Sequence, residues 1–341
     1  LKEIAVVILN WNGKRFLEQF LPKVIEYSQQ YAEVIIADNN STDGSVELLE
    51  QNFPKVKIIQ NSFNAGFASG YNLALQKVKA KYYVLLNSDV EVTENWIRPL
   101  IDFMEQDDNI AACQPKIRSY FNKEKFEYAG AAGGYIDKYG YPFCRGRLFQ
   151  SIETDTGQYN DVCEIFWATG ACLFIKADKF HEVGGFDDDF FAHMEEIDLC
   201  WRLKNMGYKI MYSPLSIIYH VGGGTLPKTS SQKTYFNFRN NFFLLYKNLP
   251  SNRLWKMFLS RLLLDGIAGA KFLFQGDYKD LWAIIKAHLS FYKNLEKLYR
   301  KRKLLTQKKV SMVYLSNVAF DHYLWRLKRF SQMNPDKFSK L

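Results

Sequence analysis

Four short apolar runs near the N-terminus constrain this chain more than any other feature. They are Ile4–Leu9 (IAVVIL), Glu33–Asp38 (EVIIAD), Val56–Asn61 (VKIIQN) and Tyr82–Asn87 (YYVLLN). Each is too short for a helix and apolar on successive residues, as strands buried on both faces are. Helical patterns lie between them. One runs from about Gly13 to Tyr31. Ser41–Asn52 opens with Ser and Asp cap candidates, and GFASGYNLALQKVKA follows the third run. The alternation predicts an α/β fold, a mostly parallel sheet flanked by helices on both faces.

In such sheets ligands gather beyond the carboxyl ends of the strands. Here those ends read Asn10-Trp11-Asn12, Asp38-Asn39-Asn40, Asn61 to Asn64, and Asn87-Ser88-Asp89. Asn and Asp are also ordinary turn residues, so any one end says little. Four polar ends on one edge point to a ligand site.

Lys and Arg outnumber Asp and Glu by 45 to 36, for a formal charge of +9, which suggests an anionic partner. No nucleic-acid motif is present, and the positive charge concentrates in the last helices, so nucleic acid is not the expected partner. The five cysteines form no CxxC pair and their number is odd. Small buried thiols in a reducing cytoplasm are expected. The chain enters a strand almost at once, so no signal peptide is expected. The most apolar long stretch, Phe258–Phe274, is interrupted by Arg261, Asp265 and Lys271. Spanning a bilayer takes roughly 20 mostly apolar residues, so it does not read as a membrane span.

From Ile110 to Asn160 the pattern is less regular. FEYAGAAGGYIDKYGYPFCRGR reads as an ordered loop region with Arg145 and Arg147, which either meet an anionic acceptor or are solvated. A second periodic block runs from Ile165 to Ser213. Beyond it the chain turns to long helical patterns dense in aromatics and Lys/Arg, which divides it into 1–230 and 231–341. Basic helices with aromatics can lie on anionic membranes. A dimer interface or a plain solvated face is the alternative.

Two further stretches carry candidate chemistry. A helix is expected from Glu195 to a Gly207 cap. It sets Glu196, Leu199, Cys200 and Leu203 on one face. A carboxylate heading an apolar stripe is costly unless it is paired or used. On the neighbouring face Arg202 can pair with Asp198. The plain alternative is a helix whose first-turn carboxylates suit its dipole. In IIYHVGGGT, His220 precedes three glycines and Thr225. Asp89 and His220, with phosphate oxygens and water, would suit Mn²⁺, whereas Mg²⁺ prefers oxygen alone.

VVILNWNG, IIADNNSTDGS, NAGFASGYN, LLNSDVEV, ATGACLFIKADKF with GGFDDDFF, and MEEIDLCWRLKNMGY occur in one order. From about Ile4 to Thr225 the chain thereby resembles the family 2 inverting glycosyltransferases with the GT-A fold. Within them it is similar to rhamnosyltransferase-like bacterial enzymes of cell-surface polysaccharide synthesis. The resemblance implies transfer of a sugar from a dTDP- or UDP-linked donor to a glycan or lipid-linked acceptor, in the cytoplasm at the inner face of the plasma membrane. It implies that Leu9, Asn10 and Asp38 hold the base and ribose. Asn64, Gly66, Phe67 and Asn72 would line the nucleotide and diphosphate, with Asn87 and Ser88 beside them. LLNSDVEV falls on the family's Asp-x-Asp metal motif. Its first Asp is Asn87 here, so Asp89 with His220 would bind Mg²⁺ or Mn²⁺. The family's acidic pair falls on Glu195-Glu196, with Glu196 as general base in a position usually Asp, and Glu195 as the second candidate. Gly170, Ala171, Trp201 and Arg202 fall on the acceptor side, although a helical Trp is more often core and Arg202 can instead brace Asp198.

A sugar nucleotidyltransferase shares the α/β layout but usually opens with a Gly-rich loop carrying Arg and Lys, which ILNWNGKR matches poorly. A non-catalytic nucleotide-sugar or glycan binder is permitted by Asn87 and opposed by Glu196.

Overall fold

The computed structural model describes residues 2–222 and 230–340. Gly223, Gly224 and Thr225, singled out after His220, lie outside the described residues. The first half alternates as expected: β1 (Ile4–Asn10), α1 (Lys14–Ser28), β2 (Ala32–Asp38), α2 (Ser45–Asn52), β3 (Lys57–Gln60), α3 (Gly66–Leu75) and β4 (Tyr82–Asn87). β5 (Val90–Val92), α4 (Arg98–Met104) and β6 (Ile110–Ser119) follow. Four short strands come next: β7 (Gly134–Asp137), β8 (Pro142–Cys144), β9 (Arg147–Leu148) and β10 (Ser151–Ile152). The central sheet then resumes with β11 (Cys163–Ile165), β12 (Cys172–Lys176) and, after α5 (Ala177–Glu182) and α6 (Glu195–Met206), β13 (Lys209–His220). The C-terminal part is α7 (Ser231–Asn248), α8 (Ser251–Gln275), α9 (Tyr278–Lys293), α10 (Leu295–Leu304), β14 (Val313–Tyr314) and α11 (Val318–Tyr323).

The main sheet runs β11-β13-β6-β12-β4-β1-β2-β3, with β5 beside β13. β1 shows why it forms. Its side chains alternate between two buried faces. Ala5 and Val7 join Ala68, Tyr71 and Ala74 of α3 on one side. Ile4, Val6 and Ile8 join Leu17, Leu21 and Val24 of α1 on the other.

Six of the main sheet's nine described strands run the same way, as expected, and β12 is the reversal at its centre. β1 to β4 are parallel, and so are β6 and β13, but β12 runs antiparallel to both β4 and β6. That reversal brings the start of β12 to the edge where the parallel strands end, and the Asn87 amide donates to the Ala171 carbonyl at 3.1 Å. The Gly- and Tyr-rich segment read as a loop contributes instead to a second sheet, β10-β9-β8-β7-β14. Its strands are only two to four residues long, too short to leave an alternating pattern in the sequence.

One apolar core continues past residue 230. Phe242, Phe243 and Leu245 of α7 belong to the same cluster as Ile197 and Leu199 of α6. A buried ionic knot reinforces this contact. Asp198 accepts from Arg202 at 2.8 Å, Lys247 at 2.9 Å and Asn248 at 2.8 Å. Burial opposes the Asp198 charge, yet Lys247 and Arg202 hold the carboxyl below its usual range. Removing one member leaves buried charges uncompensated. Asp198→Ala is therefore expected to cost about 3–5 kcal/mol of unfolding free energy, measured by denaturant titration. A loss below about 1 kcal/mol, as for a surface pair, would contradict this.

Candidate active site

The strand ends form a connected polar edge. At the end of β1, Asn10 donates to Asp38 and to Ser41, each at 3.0 Å, and Asp38 accepts from the Ser41 amide at 2.9 Å. The Asn10 side-chain amide oxygen, Oδ1, is buried with no hydrogen-bond partner among the described residues. A Cβ on Gly13 would fall 2.5 Å from that oxygen and 3.3 Å from the Ser88 hydroxyl, so bare backbone keeps this corner open. Asn39 ties the next ends together. Its amide donates to Asn64 at 3.1 Å and to the Gly66 carbonyl at 2.9 Å, and accepts from Asn61 at 3.0 Å. Leu9 is half-buried beside this knot, facing Gly70.

Gly66 is required by close approach. Its φ is +74°, and a Cβ would lie 2.6 Å from the Phe191 carbonyl. The Phe67 amide donates to that same carbonyl at 2.9 Å, and the Phe67 ring covers Gly170. The exposed Phe191 ring stacks on Phe236 of α7 with centroids 5.9 Å apart. Gly66, Phe67 and the segment leading into α6 thus meet directly.

Asp89 and His220 are neighbours because of strand register. β5 pairs with β13 so that Val90 faces His220, and the Val221 amide donates to the Asp89 carbonyl at 3.0 Å. The His220 Nε2 lies 3.1 Å from Asp89 Oδ1. Glu127, which the sequence reading passed over, stands behind the ring, with Oε2 3.3 Å from Nδ1. It arrives there because the chain doubles back after β6, and the Glu127 amide donates to the Ile117 carbonyl at 3.1 Å. Burial disfavours a charged His220, but Asp89 and Glu127 outweigh it and raise its pKa to about 10.

Whether a divalent cation fits can be judged from the donors. Asp89 Oδ1 and His220 Nε2, 3.1 Å apart, would offer an ion one carboxylate oxygen and, once the imidazole gives up its proton, one ring nitrogen. Glu127 stands on the far nitrogen, where a carboxylate would orient the imidazole if Nε2 held an ion. Among the described residues no group of three or more His, Cys, Asp and Glu could hold an ion. The remaining ligands would come from phosphate oxygens and water.

The carboxylate pair opens α6. His193 and Met194 precede it at φ values of 70° and 71°, the left-handed region. Asn240 of α7 holds this turn by donating to the carbonyls of Ala192 at 2.9 Å and His193 at 2.7 Å. One turn along α6 from Glu196, Cys200 Sγ accepts from the Ala168 amide at 3.5 Å, which aims this face at the approach to β12. Glu195 and Glu196 each keep one carboxylate oxygen buried and without a hydrogen-bond partner among the described residues. Burial pushes Glu196 up to about 7, while burial and the neighbouring Glu196 push the more deeply buried Glu195 well above its usual range. Both carboxyls are thus held above the ordinary range, Glu195 by burial and by the charge of its neighbour, Glu196 by burial.

Two assignments change. Arg202 spends its guanidinium on Asp198 and on the carbonyls of Val183 at 2.6 Å and Gly185 at 2.7 Å, so it braces α6 and does not face an acceptor. Trp201 is buried edge-on against Phe166, which denies it a sugar to stack on. Asn72 bonds Phe186 through both ends of its amide and also Asp188, which ties it to the loop after α5. Arg145 and Arg147 are neither solvated nor open to a ligand. Arg145 pairs with Asp161 at 2.6 Å, and Arg147 is buried against the Tyr128 ring.

A sheet of this kind, flanked by helices and with its polar strand ends gathered on one edge, has the architecture of the GT-A fold. The profile of the family described as Glycosyl transferase family 2 matches residues 5–184. The chain belongs to that family. It is 25% identical over 232 residues, 64% of its length and 75% of the relative's, to the N-acetylglucosaminyl-diphospho-decaprenol L-rhamnosyltransferase of Mycobacterium tuberculosis. It is 23% identical over 273 residues, 77% of its length and 80% of the relative's, to the low-salt glycan biosynthesis hexosyltransferase Agl10 of Haloferax volcanii. Its fold is similar to that of GalNAc-T7 in a crystal structure with UDP, GalNAc and Mn²⁺, at a TM-score of 0.57 and 18% identity. The match covers 74% of this chain and about half of that one, at 49%. The acidic pair and His220 lie beyond the residues the family profile matches.

Carboxyl NMR checks the electrostatics directly. The Glu196 signal is expected to titrate near pH 7, far above the ordinary 4.5. A raised folded pKa lowers stability as pH rises through it, so Glu196→Gln is expected to melt higher than the parent at about pH 8 and alike at about pH 4. A Glu196 midpoint near 4.5 would contradict the described environment.

Proposed function

We propose that this glycosyltransferase moves a sugar, rhamnose foremost, from a dTDP- or UDP-linked donor to a hydroxyl of a glycan or lipid-linked acceptor in cell-surface polysaccharide synthesis. The observation that carries the reading is the Glu195–Glu196 pair, each with a buried, unpartnered carboxylate oxygen at the start of α6, a few residues beyond the Phe191 carbonyl that meets Gly66 and Phe67. A general base works best with a pKa near the operating pH. Ionised Glu196 takes the proton of the acceptor hydroxyl as that oxygen bonds to the anomeric carbon. The bond from that carbon to the diphosphate oxygen breaks in the same step, and the configuration inverts. No enzyme nucleophile is required. Holding donor and acceptor in line contributes further.

The open corner at Asn10, Gly13 and Ser88, with Asp38 adjoining, supports a nucleoside site. Gly66, Phe67 and Asn64 support a path for the diphosphate, and Gly170 and Ala171 a meeting point of sugar and acceptor. Asp89 and His220 would hold Mg²⁺ or Mn²⁺, with Glu127 fixing the imidazole. When bound, the ion neutralises charge gathering on the departing diphosphate.

A location at an anionic membrane surface, on the inner face of the plasma membrane, is part of the proposal. The name of the mycobacterial relative specifies a diphospho-decaprenol acceptor. Residues 231–341 hold 22 Lys and Arg against 6 Asp and Glu, whereas residues 1–230 hold 23 against 30. The entire positive excess therefore sits in the C-terminal helices.

Two experiments test the reading. With donor and acceptor supplied, Glu196→Gln is expected to slow nucleoside diphosphate release by roughly 10²–10⁴-fold while donor affinity holds. The parent rate should rise with pH through about 7, because a protonated Glu196 cannot accept. A rate indifferent to both the variant and pH would remove Glu196 as the base. Separately, Glu127→Gln is expected to weaken Mn²⁺ binding by about 10–100-fold in calorimetry, without loss of fold. Unchanged Mn²⁺ affinity would leave Glu127 a purely structural partner of His220.

A further inference from the structure

We infer that the outer face of α8, together with the exposed aromatics of α11 and the turn after it, is a docking face that lies in the headgroup layer of an anionic bilayer. This deepens the membrane reading above and rests on it for its purpose, although its test does not depend on catalysis. The observation is an inverted helix. α8 is 25 residues long. Arg261 and Asp265, the charged residues in its middle, point inward and are buried. They pair at 2.9 Å, and Arg261 also donates to Asn241 of α7 at 2.6 Å. His288 of α9 completes the knot at 3.2 Å from Asp265. The apolar residues point outward. Trp255, Leu259, Leu262, Leu263, Ile267 and Phe274 are all exposed, Leu263 at 68% and Phe274 at 88%. A helix that turns its charges to the protein and its leucines outward is built for an apolar neighbour.

The exposed charges on α8 are Arg253, Lys256 and Lys271, all cationic. Lys271 lies over the Tyr323 ring, 5.5 Å from its centre, and so joins the helix to a second exposed aromatic group, Phe320, Tyr323 and Trp325. Arg326, Lys328 and Arg329 follow directly. Trp and Tyr with a cationic rim are the side chains that settle at the level of lipid headgroups. Among the described residues no helix is long and apolar enough to cross a membrane, so the face lies on the bilayer.

Charge complementarity selects the occupant. A second copy docking the same face would set Arg253, Lys256 and Lys271 against identical cations. An anionic bilayer takes up the leucines and neutralises the rim. The geometry also serves the site. α8 packs on α7 through Phe258 and Phe242, stacked at 5.9 Å, and α7 holds the turn before Glu195 through Asn240. A lipid-linked acceptor held in the bilayer would then reach the carboxylate pair across one intervening helix.

The test is co-sedimentation of the full chain with vesicles of phosphatidylcholine alone and of phosphatidylcholine mixed with phosphatidylglycerol. Binding is expected to the mixed vesicles, to weaken with salt, and to fall roughly tenfold or more in Leu263→Glu combined with Phe274→Glu. Circular dichroism, melting temperature and slow hydrolysis of a soluble donor should not change in that variant. Parent and variant binding alike would overturn the proposal. So would a parent that ignores vesicles but runs as a dimer which the double variant converts to monomer, since a second copy would then cover the face. Vesicle binding without any nucleotide-sugar turnover would leave the docking face standing and count against the transferase reading alone.

Discussion

The left-handed turn at His193 and Met194 is the constraint on which the site depends. Non-glycine residues in that region cost of order 1–3 kcal/mol each and persist only when their surroundings hold them. Here Asn240 bonds the two carbonyls of the turn, and Met194 is buried under α7. The turn releases Phe191 toward Gly66 and, four residues later, starts α6 with two acidic side chains. The helix that imposes this geometry belongs to the C-terminal region. The basic, aromatic part of the chain is therefore structurally part of the site, and a change in how it sits can be felt at Glu196.

The electrostatics divide into satisfied and unsatisfied groups. Asp198, Arg202 and Lys247 are buried and fully paired, and they anchor α6 from below. Asp89, His220 and Glu127 form a compact acid–base–acid row. At the mouth of the same helix, Glu195 and Glu196 each keep a buried oxygen that nothing in the described fold satisfies. Leaving two carboxyls in that state costs stability. Such local expense belongs where a ligand or a reacting hydroxyl is to supply the missing partner.

The parallel half of the sheet was legible because β1 to β4 are buried on both faces and leave continuous apolar runs. α6 was legible too, since the Glu196–Leu203 spacing, the Asp198–Arg202 pair and the Gly207 cap are local features. What sequence could not show depends on long-range pairing. The antiparallel entry of β12 brings Ala171 to Asn87, and only the register of β5 on β13 sets Asp89 against His220. Glu127 carried no signal at all, being a single acid in a Gly-rich stretch whose position is set by the fold-back after β6. Arg202 and Trp201 were candidates by type and were excluded by burial, a property that a helical period assigns to a face but not to a partner. The inverted polarity of α8 was equally hidden. Its sequence shows charges interrupting an apolar stretch, and only packing reveals which side faces in.

The central claim is a single displacement driven by Glu196 at the polar edge of the sheet. A proton NMR time course of nucleotide sugar, acceptor and protein reads it most directly, because the anomeric coupling identifies the product's configuration as it forms. The account predicts consumption of one donor and a glycosidic product of inverted anomeric configuration, dependent on Glu196. A product that retains the donor's configuration would demand an enzyme nucleophile and contradict it.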